Sequence, residues 1–196
     1  VVAPAAAQSM GDYCYTPPSV GKSLPPNVMI VMDSSGSMLN YAYDYDGTNR
    51  STGFDDSKEY YGYFKPDLFY TYSSSKFRES RPKEGNTIDP GEWDGNFLNW
   101  LTMRRIDVIR KVLTGGDYNA NSNVLVGEYP DAALRGRYKG VASPQSYTPY
   151  SDGDFEVFAQ GSSAQIEHEA TGDTYKVNIA SSTTPCGLLD EIWDDV

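Results

Sequence analysis

Two cysteines, Cys14 and Cys186, and one histidine, His168, are all that the 196 residues contain of either type. The cysteines lie far apart and form no CxxC pair, no CxxCH haem site and no zinc cluster. One histidine without an activated nucleophile leaves no hydrolase triad. No apolar run approaches the ~20 residues a membrane helix needs; the longest, residues 28–32, has the length of a strand. Basic residues are also few: 16 Lys and Arg face 27 Asp and Glu, for a formal net charge of −11. Such a chain is repelled by phosphate backbones, so nucleic acid is not an expected partner.

What is present suffices for a folded domain. Apolar residues make up 39% and charged residues 22%, which is too hydrophobic for a disordered chain. The mean hydropathy of −0.54 assigns much of the chain to surface or loop. Aromatics reach 13%, and 16 of them are tyrosine. The opening stretch around Ala5, Ala6 and Ala7 has the small-residue character of a signal-peptide cleavage site, although the charged and apolar regions of such a peptide are missing. The simplest account is an exported chain numbered from near a processing point. In that setting Cys14 and Cys186 are expected to pair in a disulfide closing nearly the whole chain, contributing roughly 4–5 kcal/mol before strain. The alternative is two unpaired thiols.

Organisation follows from the turn residues and periodicities. Residues 1–26 carry Pro4, Pro17, Pro18, Pro25 and Pro26 and read as an extended arm. Residues 27–33 form an apolar run that fits a strand buried on both faces, as in a parallel sheet. Residues 39–95 read as a long, mostly irregular, tyrosine-rich insertion, with short strands near 60–64 and 69–72; eight tyrosines lie between Tyr41 and Tyr72. The pattern over 96–113 predicts one amphipathic helix, capped by Asp94 or Asn96 and ended by Gly115 and Gly116. Leu98, Thr102, Ile106, Ile109 and Leu113 line one face, and Phe97, Leu101, Val108 and Val112 widen it, which suits a helix covering a sheet. Residues 117–153 read as loop with a short strand at 124–126. A period of two over 154–180 predicts a three-stranded antiparallel meander. Residues 181–196 form a C-terminal segment of no assigned state.

The chemistry-bearing motif is Asp33-Ser34-Ser35-Gly36-Ser37, directly after the apolar run. In an open α/β sheet, ligands bind beyond the carboxyl ends of the strands. Asp33, Ser35 and Ser37 are spaced at two, so an extended loop can aim all three oxygens at one point. One carboxylate and two neutral hydroxyls suit a hard divalent cation such as Mg²⁺, Mn²⁺ or Ca²⁺. Such a set leaves the ion under-neutralised, so that an acidic group of a partner can complete the shell. The alternative is an Asx or Ser turn whose hydroxyls bond the backbone.

This loop resembles the metal-ion-dependent adhesion site of von Willebrand factor A domains, whose first loop reads Asp-x-Ser-x-Ser. Further on, Tyr60-Tyr-Gly-Tyr-Phe64, Gly95-Asn-Phe-Leu-Asn-Trp100 and the stretch from Thr102 to Gly116 resemble the N-terminal region of the PilY family over roughly residues 25–130. Those are large exported proteins associated with type IV pilus assembly and the pilus tip. The resemblance implies a non-enzymatic, exported subunit at the cell surface or pilus tip, acting in pilus tip assembly and surface adhesion. It implies pilus components such as minor pilins as partners, and a partial, Rossmann-like von Willebrand A unit over 27–116. A full A domain would add a Thr and an Asp from two later loops, and neither is found here. A lone buried strand with a wide-faced helix cannot bury itself, so a second chain completing the sheet is expected. The runner-up is a structural surface or filament component without a working metal site.

Other motifs carry less. Asp44-Tyr-Asp-Gly-Thr48 matches the nucleophile loop of haloacid-dehalogenase-type phosphatases, but the buried strand that chemistry needs is absent before it. His168, between Glu167 and Glu169, reads as a surface histidine. The fold expected is mixed α/β, a partial von Willebrand A-type unit with a long insertion and a β meander.

Overall fold

A computed structural model of the chain describes residues 29–43, 50–51, 53–85, 87–130 and 137–189. Contacts separate the first 32 residues from a compact unit of residues 33–195. Of the former only residues 29–32 are described. They hold no regular secondary structure, and Met29 and Val31 are 87% and 82% exposed. The strand expected at 27–33, buried on both faces, is therefore not formed at these positions. A parallel-sheet strand needs hydrogen-bonded neighbours, and the strand pairings of the described residues all lie later in the chain.

The compact unit is mixed α/β with two sheets among its described residues. The elements are β1 (Arg50–Ser51), β2 (Leu68–Ser73), β3 (Lys76–Pro82), β4 (Glu92–Asp94), α1 (Gly95–Thr102), α2 (Arg105–Thr114), β5 (Tyr118–Asn119), β6 (Val124–Val126), β7 (Tyr138–Lys139), β8 (Phe155–Gln160), β9 (Ser163–His168), β10 (Thr174–Lys176) and β11 (Asn178–Ala180). One sheet has the order β4-β2-β3-β11-β6-β5, the other β1-β7-β8-β9-β10. Among the described residues only β3–β11 and β1–β7 are parallel pairs. The mainly parallel, Rossmann-like arrangement implied by the A-domain resemblance is thus not what the described strands make.

The supposed insertion supplies the heart of the six-stranded sheet. Strands β2 and β3 form a hairpin in which Tyr72 faces Phe77 and Ser73 faces Lys76. Its turn residues Ser74 and Ser75 both have positive φ, 51° and 59°. Two-residue hairpins require that geometry, but their usual sequence mark, Asn-Gly or Asp-Gly, is missing here. A register shift between Leu68 and Tyr70 further obscures the period of two. Residues 60–64 are not a strand but a bent loop.

The helix expected over 96–113 is two helices. Every residue of α1 is buried, whereas in α2 only Asp107 is buried and Val112 is 44% exposed. The break at Met103 and Arg104 exists because this backbone pairs with residues 40–42. The Ala42 amide donates to the Met103 carbonyl (2.9 Å), the Arg105 amide donates to the Asn40 carbonyl (3.2 Å), and Tyr41 bridges to Arg104. The Asp94 carboxylate caps α1 by accepting from the Phe97 amide at 3.0 Å. Gly115 ends α2 in the left-handed region (φ 76°), where glycine carries no steric cost.

Helix α1 packs against both sheets through aromatic rings. Phe97 lies 5.8 Å from Phe155 of β8, and Phe155 lies 5.8 Å from Trp93 of β4. A helix enclosed on every side must satisfy its polar side chains internally. Asn96 accepts from the Tyr60 amide (2.7 Å) and donates to the Lys58 carbonyl (2.7 Å). Asn99 accepts from the Phe64 amide (3.0 Å) and donates to the carbonyls of Tyr60 and Phe64 (2.8 Å each). These bonds draw loop 58–64 onto the helix so closely that a Cβ on Gly62 would stand 2.3 Å from Asn99 Oδ1. Four of the tyrosines, Tyr41, Tyr60, Tyr63 and Tyr70, are buried in the core, whereas Tyr61 is exposed. Burial of α1 by the chain's own sheets also removes one reason for expecting a second chain.

Strands β8, β9 and β10 make an antiparallel meander. The segment after it does not continue as one strand to residue 180. At Val177 the chain leaves one sheet and enters the other: its amide donates to Ala164 and its carbonyl accepts from Gly127. His168, at the end of β9, is fully buried. Its Nε2 lies 2.6 Å from the Asp152 carbonyl, its Nδ1 lies 3.0 Å from Thr171 Oγ1, and its ring stacks on Tyr150. The surface location expected from its glutamate neighbours is thus corrected.

Replacing Asn99 with Leu strands two carbonyls and an amide of loop 60–64 in the interior. Such groups cost about 1–3 kcal/mol each, so Asn99→Leu is expected to lower the unfolding free energy by about 3 kcal/mol or more. Gly62→Ala is expected to destabilise through the same contact. Urea denaturation followed by tryptophan fluorescence measures both.

Candidate functional site

The Asp33 loop belongs to the compact unit and passes into a short 3-10 turn, Gly36–Leu39, with Ser35 at its N-cap. Ser35 anchors the cluster. Its amide donates to Asp33 Oδ1 at 2.8 Å and its hydroxyl donates to Asp33 Oδ2 at 2.9 Å. Ser35 Oγ also lies 2.7 Å from Ser37 Oγ. The spacing of two thus brings all three oxygen-bearing side chains together, and all three are solvent-exposed. The Ser35 amide, and then its hydroxyl, hold the Asp33 carboxyl below the usual carboxylate range. The loop therefore presents an ionised carboxylate with two hydroxyls beside it.

That set suits a hard cation in its chemistry but not in its completeness. Mg²⁺ takes six oxygen ligands and Ca²⁺ six to eight, and the loop offers three residues. Ser35 donates its proton to Asp33 and keeps its oxygen lone pairs for the neighbouring Ser37 hydroxyl or an ion. Among the described residues no group of three or more His, Cys, Asp and Glu is placed to hold a metal. The Thr and second Asp of a full A-domain site have no counterpart beside this loop in the described hydrogen bonds.

The loop's support was not visible in the sequence. The 3-10 turn leads into residues 40–42, which pair with the break between the helices, and Arg105 Nη1 donates to the Ser37 carbonyl (3.5 Å). Behind it, two buried cations lie against the Tyr41 ring, the Arg104 guanidinium 3.9 Å and the Lys139 ammonium 4.2 Å from its centroid. Arg104 Nη2 donates to the Val157 carbonyl, and Lys139 Nζ donates to the carbonyls of Tyr43 and Trp100. Asp107 accepts from the backbone amides of Arg104 and Glu128. Only the aromatic residue at 41 and the paired Arg104 and Arg105 hinted at this anchor.

Of the other residues singled out, Cys186 is exposed and no disulfide is present among the described residues. Cys14 and the Asp44-to-Thr48 motif lie outside them.

The comparisons with known proteins agree with this architecture at the level of family. The family model described as "PilY1 homolog, small alpha/beta domain" matches residues 51–182. Two proteins of Xylella fastidiosa (strain Temecula1 / ATCC 700964), each named a type IV pilus biogenesis factor PilY1 homolog, are similar. One is 34% identical over 96 residues, covering 45% of this chain and 6% of that protein. The other is 31% identical over 130 residues, covering 60% of this chain and 10% of that protein. The chain thus spans a tenth or less of the length of these relatives. No solved structure matches.

Burial pushes the Asp107 carboxyl up to about 6, against an ordinary value of 3.8. A raised carboxyl binds its proton more tightly in the folded state, so its contribution to stability falls as pH rises from about 4 to 6. Wild type is therefore expected to gain about 3 kcal/mol of stability relative to Asp107→Asn as pH falls through that window. Denaturant titrations at pH 4, 5, 6 and 7 measure it.

Proposed function

The chain belongs to the family of PilY1 homolog small alpha/beta domains, and from that premise we propose that it is a non-enzymatic, exported component of type IV pilus machinery. In this reading it acts in pilus biogenesis and surface adhesion at the cell surface or pilus tip, with pilus components such as minor pilins as partners. The observation that carries the reading is the match over residues 51–182, together with the printed names of the relatives. No helix among the described residues is long and apolar enough to cross a membrane.

The Asp33 loop supplies the contact in this proposal. Asp33, Ser35 and Ser37 hold a Mg²⁺ or Ca²⁺ ion, water fills part of the shell, and a carboxylate of the partner completes it. The convergence of the three side chains within hydrogen-bond distance supports this. A Cys14–Cys186 disulfide in the exported protein belongs to the same reading. A scaffold role without a bound cation is the competing reading, favoured by the single carboxylate.

One capture experiment separates them. The chain is used as bait on extracts of its native cell surface, in Mg²⁺ and in EDTA, and the captured proteins are identified by mass spectrometry. Recovery of a pilus component in Mg²⁺, with loss in EDTA and in Asp33→Ala, is the expected result. Recovery independent of the cation assigns the scaffold role. A chain recovered without pilus components in either buffer overturns the pilus reading.

A further inference from the structure

A second concave surface lies away from the Asp33 loop. It is a cleft of about 950 Å³ built by loop 59–66, β3, α2, β6, β11 and the strap that follows β11. Its floor is apolar: Phe64, Leu125 and Ile179 line it and are buried in the core beneath. Tyr61 stands at the lining with 47% of its surface exposed.

The charges around this floor are unlike those of the rest of the molecule. Lys65, Lys76, Arg78 and Lys111 line the cleft, together with Glu59 and Glu79. Lys65 and Glu79 neutralise each other at 2.9 Å. Lys76 and Arg78, two residues apart on β3, flank the inward-facing Phe77, and Lys76 Nζ donates to the Ser122 carbonyl at 3.2 Å. Arg78 and Lys111 make no ion pair among the described residues. Setting Lys76, Arg78 and Lys111 against Glu59 leaves two positive charges in excess, on a chain whose net charge is −11. Lys111 is half-buried; burial first, and the neighbouring Lys65 charge second, hold its ammonium below the usual lysine range. An anion arriving there offsets the repulsion between the two ammonium groups.

We propose that this cleft binds an acidic peptide segment of a partner protein, seating an apolar side chain over Phe64, Leu125 and Ile179 with carboxylates on Arg78 and Lys111. Charge complementarity selects the sign of the ligand: a local positive surface on an acidic chain steers carboxylates to this place and repels them elsewhere. The apolar floor selects a peptide over an acidic polysaccharide, which would seek several exposed aromatic platforms where this lining offers Tyr61. The overall negative charge weighs against nucleic acid, whose affinity rests on neutralising many phosphates.

The test is fluorescence anisotropy at low ionic strength with a fluorescein-labelled ten-residue peptide alternating glutamate and leucine. A glutamine–leucine peptide of the same length and an oligogalacturonate serve as competitors. The glutamate peptide is expected to bind, and its affinity to fall with added salt. Removing both contacts in Arg78→Gln/Lys111→Gln is expected to weaken it by about tenfold or more, while Lys58→Gln outside the cleft leaves it unchanged. Arg78 is exposed, so the single variant Arg78→Gln keeps the fold and is expected to show part of the loss. Absence of binding, equal binding of the glutamine peptide, or indifference to both cleft variants overturns the proposal. Tighter competition by oligogalacturonate than by unlabelled peptide overturns it in favour of a sugar site.

Discussion

Enclosure of α1 is the constraint on which the rest of the compact unit depends. A helix buried on all sides offers its neighbours no solvent to share, so every polar atom on it must find a partner in the protein. Asn96 and Asn99 answer this by taking over the backbone groups of loop 58–64, which has no sheet to bond to. Helix and loop satisfy each other, and the close approach explains glycine at 62. The aromatic rings then close around this pair: Phe54 and Tyr147 beside Phe97, Tyr60 stacked on Phe54, and Trp93 and Phe155 linking β4 to β8.

The same enclosure explains why the helix stops at Thr102. Continuing it would direct residues 103–105 away from residues 40–42, whose backbone needs the pairing. The break places Arg104 in the interior, against the Tyr41 ring and the Val157 carbonyl. A buried guanidinium is costly unless compensated. Here the compensation is a π face, a carbonyl and the nearby Asp107, while Nε and Nη1 have no hydrogen-bond partner among the described residues. The Asp33 loop hangs from this anchor, so its three oxygens are displayed at the surface from a rigid base.

The two proposed binding surfaces share a logic. The Asp33 loop carries too little negative charge to neutralise a divalent ion alone, and the cleft beside α2 carries a positive excess on an acidic molecule. Each is completed by carboxylates supplied from outside. They differ in what excludes water: the loop is fully exposed, whereas the cleft has an apolar floor on which a side chain can be desolvated.

Several features were legible from local chemistry. The meander over 155–176 alternates with period two and has turn residues where they are needed. Gly115 marks the end of a helix, and Asp33, Ser35 and Ser37 lie close enough in sequence for one short turn to bring their oxygens together. Mixed α/β character and membership of the PilY1 homolog family also follow from residue patterns. Non-local pairing decided the rest. Ser74 and Ser75 adopt a hairpin turn without the residues that announce one, so the centre of a sheet looks like an insertion. One apolar stripe becomes two helices because residues far away in sequence pair with the joint. Val177 divides one period-two run between two sheets, and His168 is buried despite glutamates on either side. The sequence by itself determined the local periods, the caps and the oxygen cluster, since these depend on neighbours a few residues apart. Which surfaces are buried, and where positive charge gathers on an acidic chain, only the tertiary structure decided, because both arise from segments separated by tens of residues.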